Sequence, residues 1–150
     1  NLAWYVENLR DIIDRLQTET GARLALLDLP PLGEDLASEI NGRIRDYNTA
    51  LREVASTSGV AVLPLHDRLV ELLPDDHTPP PFEGRRNLMG SALARRLVRR
   101  RSWDQISDAH GLALLTDHVH LNDRAAAVSA ALIADWLAGP GAETDPTAPG

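Results

Sequence analysis

The pair Asp117-x-x-His120 is the part of this chain whose residue types and spacing could do chemistry. A hydrolytic histidine needs one ring nitrogen free to take a proton from a nucleophile. Its other nitrogen is best held by a carboxylate, which sets the tautomer and stabilises the imidazolium. Two residues in one tight turn can meet both demands without help from elsewhere in the fold. Asp117 would then orient His120, and His120 would act as general base and afterwards as general acid toward a leaving alcohol. From the spacing alone, a helix-capping region with a surface histidine is the stronger reading. The context adds weight to catalysis: the pair follows a buried strand and directly precedes a capped terminal helix.

Metal binding is the competing chemistry. His118 and His120 form a His-x-His pair, Asp117 is adjacent, and His110 could be a third ligand. On a strand the two histidines would share a face. The helix expected right after His120 and the lack of another ligand motif make this the lesser reading, so neither metal nor cofactor is expected and His118 reads as a variable loop residue. His66 beside Asp67 suggests a second acid–base couple, but neighbours in sequence usually point apart. A strand-end His66 and a helix N-cap Asp67 account for them better. The chain has no cysteine, which removes disulfides, thiol nucleophiles and Cys-based zinc sites together. Its serines are Ser38, Ser56, Ser58, Ser91, Ser102, Ser107 and Ser129, and none is expected in a strand-to-helix elbow.

The elements that must position the pair follow from periodicity. Residues 2–17 read as an amphipathic helix with Leu2, Val6, Leu9, Ile13 and Leu16 on one face, ended by Gly21. Residues 23–29 form a nearly continuous apolar run, suited to a parallel strand buried on both faces and stopped by Pro30-Pro31. A second helix is expected over 35–55, with Leu36, Ile40, Ile44, Tyr47, Leu51 and Val54 as its stripe. A second buried strand follows over 60–65, then a short helix near 67–73 and a Pro-rich loop over 75–84. Residues 87–101 read as a helix that is not cleanly amphipathic, because Arg96 and Arg100 intrude on its apolar face. A third apolar run, 111–115, reads as a short strand or loop. The last helix spans 123–137, with Val128, Leu132, Ile133 and Trp136 inward and Asn122 or Asp123 as cap. The small, polar, Pro-rich stretch 139–150 reads as a disordered tail. Alternating strands and helices imply βαβ units and a parallel sheet covered on both faces, an α/β fold with three layers. In such sheets the site lies at the carboxyl ends of the strands, and Asp117–His120 follows the third run.

At 150 residues the chain is about one domain long. Aromatic residues are only 4% of it, so the core must be aliphatic. The net charge of −7 argues against nucleic acid as the main partner. Every basic residue other than histidine is arginine, and seven of the 15 fall between Arg85 and Arg101. That cluster reads as a solvated helix face, with a role at the mouth of the site or in anion binding as the alternative. No apolar run approaches the roughly twenty residues of a membrane span, and no signal peptide is visible, so a cytoplasmic protein without membrane insertion is expected.

The block Thr116-Asp117-His118-Val119-His120-Leu121-Asn122 resembles the last conserved block of the SGNH (GDSL-type) hydrolases. The run Leu26-Leu27-Asp28-Leu29-Pro30-Pro31-Leu32 is similar to that family's strand and proline-containing loop upstream of the block. Arg45-Asp46-Tyr47-Asn48-Thr49-Ala50-Leu51 resembles its next helix. The resemblance covers most of residues 1–138. It implies a flavodoxin-like three-layer fold that is incomplete at its N-terminus, and hydrolysis of a small-molecule carboxylic ester through an acyl-enzyme. It also implies a serine nucleophile in a Gly-Asp-Ser motif and oxyanion donors upstream, blocks that these residues do not contain. Only Asp117 and His120 carry over. Two other classes stay open: a non-catalytic module of the same fold, and an acyltransferase using the same residues.

Overall fold

The computed structural model describes residues 1–81 and 101–139 of the chain. The helix expected over 87–101 lies outside the described residues except for Arg101, and the tail expected over 139–150 lies outside them except for Gly139.

Helix α1 spans Leu2–Thr20, with the Asn1 side chain accepting from Ala3 N–H at its start. It ends at Gly21, whose φ of 60° and ψ of 11° give the left-handed turn that a side chain would resist. Strand β1 is Ala25–Leu27. Helix α2, Glu39–Thr57, is capped by Ser38. Strand β2, Ala61–Leu63, lies parallel to β1 with Leu26 opposite Val62. Helix α3, Leu65–Val70, follows at once. Helix α4, Trp103–Ala109, was not expected from periodicity. It opens on a capping box in which Ser102 and Gln105 satisfy each other's backbone N–H groups. Helix α5 is Asp123–Ala138, capped by Asn122.

The protein is therefore mixed α/β, with a two-stranded parallel sheet among the described residues. Two apolar clusters hold it. Ile13, Val54, Ala55 and Val60 are buried together, with Val6, Leu9, Leu24, Leu26 and Val62 packed around them, so α1 and α2 close on the sheet. Leu65, Leu69, Leu114 and Ala125 form the second cluster, with Leu73, Ala113, Leu121, Val128 and Leu132, joining α3, α5 and the segment before Asp117. Complete burial of a side chain such as Ile13 contributes roughly 1.5–3 kcal/mol.

Three expectations change. The run 111–115 is not a strand. Leu115 makes only an isolated antiparallel bridge to Leu121, and the N–H groups of Ala113, Leu114 and Leu115 donate to a buried carboxylate instead of to a sheet. The inward face of α2 is turned from its apolar stripe: Asn41 and Asn48 are buried with Leu51 and Val54, while Ile40, Ile44 and Tyr47 are half-buried. On α5, Ile133 is exposed rather than inward, and the ends of the α1 stripe, Leu2 and Leu16, are exposed too. No helix among the described residues is long and apolar enough to cross a membrane.

The asparagines on α2 explain its rotation. Asn48 accepts from Leu29 N–H at 2.8 Å and donates to Leu29 C=O at 2.9 Å. Asn41 accepts from Leu32 N–H at 2.9 Å and donates to the carbonyls of Leu32 and Asp35 at 3.0 and 2.8 Å. Two side chains two helical turns apart thus satisfy the backbone of the loop after β1, which Pro30 and Pro31 keep out of any ladder. Replacing Asn48 by Leu keeps the branched shape but leaves a donor and an acceptor unpaired. Asn48→Leu is expected to lose about 2 kcal/mol or more in urea denaturation; a loss within error of zero would show that water replaces these bonds freely.

Candidate active site

The loop that follows β1 meets the loop that precedes α5, and Asp117 and His120 lie at that junction. Residues 114–122 form a closed turn: Thr116 N–H donates to His120 C=O at 2.7 Å and Asn122 N–H to Leu114 C=O at 2.9 Å. The Asn122 side chain secures both ends. Its oxygen accepts from Ala125 N–H at 3.1 Å, capping α5, and its amide donates to Ala113 C=O at 2.9 Å and to Ser107 Oγ at 3.2 Å. Asp123 is not the cap; its carboxylate accepts from Trp103 N–H at 2.9 Å, joining α4 to α5.

Within the turn, Asp117 Oδ1 accepts from His120 N–H at 2.9 Å and from Val119 N–H at 3.2 Å. His120 Nδ1 lies 2.9 Å from Oδ1 and 3.0 Å from Oδ2. A carboxylate can only accept, so Nδ1 carries the proton and Nε2 presents its lone pair. The Asp117 side chain is 7% exposed and that of His120 is 62% exposed. The carboxylate is covered and the imidazole faces solvent. Burial alone would push the Asp117 carboxyl up, but donation from the His120 backbone and ring and from Val119 outweighs it and holds the group below the usual carboxylate range.

His118 lies between them on the other side of the backbone. Its φ of 71° is left-handed, unusual for a residue with a side chain, and it turns the imidazole inward so that the residue is 4% exposed. Burial lowers its pKa, against the upward pull of Glu34 and Asp117, and His110 adds to the lowering. His118 and His120 therefore do not share a face, which removes the geometry of the His-x-His metal reading. His110 Nδ1 donates to Thr116 C=O at 2.7 Å and so braces the turn. Among the described residues no group of three His, Asp or Glu side chains is disposed to hold a metal ion.

The second couple is different from its expectation. His66 Nδ1 comes within 3.4 Å of Asp67 Oδ1, so the two do approach. Asp67 is also held by Arg52 at 3.0 Å, and Arg52 reaches Asp28 at 2.6 Å. Asp28, whose side chain is fully buried, accepts from His66 N–H at 2.7 Å. The start of α3 is thus capped by Asp28 from the end of β1, a role that Asp67 was expected to fill.

Sequence reasoning missed Glu34. Its side chain is 2% exposed, and its oxygens accept from Ala113, Leu114 and Leu115 N–H at 2.8, 2.7 and 2.9 Å and from His77 Nε2 at 2.6 Å. An acid beside Asp35 in a Pro- and Gly-containing loop carries no periodic signal that would mark it as buried. Its neighbour Gly33 donates its N–H to His118 C=O at 2.7 Å. A cavity of about 370 Å³ lies beside Glu34, lined by Leu36, Val70, Leu73, His77 and Pro79 among others; Asp117 and His120 do not line it.

Two acid-labile contributions follow. A histidine whose folded pKa is lowered binds its proton more readily when unfolded. The stability tied to neutral His118 is then complete above about pH 6.5 and declines as pH falls toward its folded pKa. Asp117 is a depressed carboxylate, so its contribution persists down to the ordinary carboxylate range and is lost only as pH falls through its folded value. Asn tolerates the left-handed backbone and does not titrate. His118→Asn is therefore expected to flatten the urea midpoint against pH just below pH 6.5, while Asp117→Asn flattens the more acidic limb. Superimposable curves for wild type and both variants would refute the assignment.

No family model, curated protein or solved structure matches the chain.

Proposed function

We propose that this chain supplies the acid–base half of a serine-esterase site of the SGNH type, with His120 as general base and acid and Asp117 as its orienter. The carrying observation is the bond from His120 Nδ1 to the covered Asp117 carboxylate, with the ring otherwise in solvent. A serine hydroxyl placed at Nε2 would lose its proton to His120 as its oxygen attacks the ester carbonyl. His120 would then return that proton to the departing alcohol, leaving an acyl-enzyme for water to cleave by the same steps.

The nucleophile in this proposal comes from outside the described residues. Ser38 donates to Asp35 C=O, Ser107 to Trp103 C=O and Ser129 to Ala125 C=O, and Ser102 caps α4. Ser56 lies in the last turn of α2 and Ser58 is its C-cap. The three-layer α/β/α sandwich belongs to the same proposal, with residues 1–138 as its C-terminal part. Two features support it: a parallel sheet of two short strands, and apolar side chains left exposed on β1 and α5 at Leu27, Ile133 and Leu137. Parallel sheets are normally wider and covered on both faces.

The test uses a chain extended upstream to include a candidate serine, assayed on short-chain aryl esters. Asp117→Asn is expected to lower kcat about 10⁴-fold and His120→Ala about 10⁶-fold. Turnover that survives His120→Ala would overturn the reading. Fluorophosphonate labelling of the 150-residue chain is expected to give no adduct. An adduct lost in His120→Ala would keep the catalytic pair and place the nucleophile within these residues.

A further inference from the structure

We propose that Glu34 is a positioning residue for the Asp117–His120 pair, fixing the turn that holds them without touching either side chain. The inference deepens the functional reading and rests on it only for its catalytic meaning.

The geometry is that of a saturated acceptor. An ionised carboxylate offers about four good acceptor directions. Glu34 uses four: Oε1 accepts from Leu114 and Leu115 N–H, and Oε2 from Ala113 N–H and His77 Nε2. With the side chain 2% exposed, water does not compete for them. Three consecutive N–H groups converging on one anion form a nest, and a nest fixes the dihedral angles of the residues that make it. The last of the three belongs to Leu115, which bridges to Leu121 across the closed turn. Gly33 grips the same turn at its tip through the carbonyl of His118. Two adjacent residues of the β1 loop thus hold the 113–120 segment at its base and at its tip.

Asp117 depends on that hold. Its Oδ1 serves two backbone donors and the ring at once, which requires residues 117–120 to keep their present curvature. Among the described residues the His120 ring, 62% exposed, is held through its Nδ1 by Asp117. If the segment 113–115 were free to take extended dihedrals, Val119 and His120 N–H would leave Asp117, and the ring would follow. Displacements of about 1 Å in such a pair are enough to cost about 100-fold in rate. His77 completes the arrangement from the other direction. It brings the wall of the adjacent cavity onto the same carboxylate.

A Gln in place of Glu34 keeps the shape and separates the roles. Its amide oxygen can still accept from Leu114 and Leu115, and His77 can switch tautomer to accept from the amide nitrogen. Ala113 N–H, however, would face a donor. Glu34→Asp keeps the charge but is one methylene too short to reach all three amides. The readout is the tautomer of His120, observed by long-range proton–nitrogen correlation at alkaline pH, together with the Asp117 carboxyl titration followed by carbon NMR. Wild type is expected to show His120 protonated at Nδ1 and Asp117 titrating below the ordinary carboxylate range. Glu34→Gln is expected to move His120 toward the Nε2–H tautomer that free imidazole side chains prefer, and to bring the Asp117 titration up. Ile13→Ala, in the other apolar cluster, should lower Tm while leaving both signals at their wild-type values.

An unchanged His120 tautomer and Asp117 titration in a folded Glu34→Gln protein would overturn the proposal, and Glu34 would be structural only. If Glu34→Gln does not fold, Glu34→Asp decides on the same two signals. Neither signal needs turnover. A shifted tautomer alongside ester hydrolysis indifferent to His120→Ala would uphold Glu34 as a positioning residue while removing the esterase reading.

Discussion

The buried carboxylate of Glu34 holds the 113–115 segment, on which the turn at Asp117 depends. Where the run 111–115 could have paired with a neighbour, its amides turn toward Glu34 instead. Burying an ionised carboxylate is costly unless its hydrogen-bonding capacity is filled, and removing one partner from such a set costs more than the net value of any one bond. Glu34 meets the condition with three backbone donors and His77, so the arrangement is stable only when all of its parts are present. The segment before Asp117 can then end in a tight turn instead of continuing as a strand. An Asp-x-x-His pair needs such a turn, because in an extended chain the two side chains would lie too far apart to bond.

Glu34 is itself held at one remove. It sits on the loop after β1, and the backbone of that loop is tied to α2 by Asn48 at Leu29 and by Asn41 at Leu32, Gly33 and Asp35. Helix α2 in turn is fixed by Val54 and Ala55 in the apolar cluster it shares with α1 and the sheet. The order of dependence runs from a non-directional core, through two asparagines that read backbone polarity, to one anion, to the turn that carries the acid–base pair. Apolar packing sets where α2 lies, but the polar contacts set its rotation, which is why its buried line is displaced from its apolar stripe. Asp28 plays a matching part at the end of β1, capping α3 and anchoring Arg52. Both loops at the carboxyl end of the sheet are thus organised by side chains reaching across from other elements.

Much of this was legible in the residues and some was not. Helices α1, α2 and α5 and the two strands could be placed from periodicity, although α2 turns its buried line from its stripe and the strands are half-buried or exposed, not covered on both faces as expected. Helix α4 was legible in principle: Ser102-x-x-Gln105 is a capping signature, missed because the seven residues that follow are too few to show a stripe. The run 111–115 misled because its apolar content reports burial, which is real for Leu112, Leu114 and Leu115, and not strand pairing. The Asp117–His120 contact was readable because it is local. Glu34 was not, for it meets its amide partners about 80 residues away and His77 43 away, and sequence distance carries no trace of such contacts. Asn41 and Asn48 lie between: two asparagines seven apart in a helix are a sign of a helical face bonded to a backbone, though not of which backbone.

The three histidines in or beside the turn show how one short segment divides its chemistry. His118 and His120 are two residues apart and in a strand would be equivalent. The left-handed backbone at His118 sends it inward and leaves His120 outward. Burial then favours the neutral form of His118. His110 spends its Nδ1 proton on the Thr116 carbonyl, at the start of the turn. Asp117, kept ionised by three donors, has its remaining attraction directed at a single ring. The placement of these neighbours, rather than residue type, leaves His120 as the exposed histidine of the turn, its Nδ1 held by Asp117.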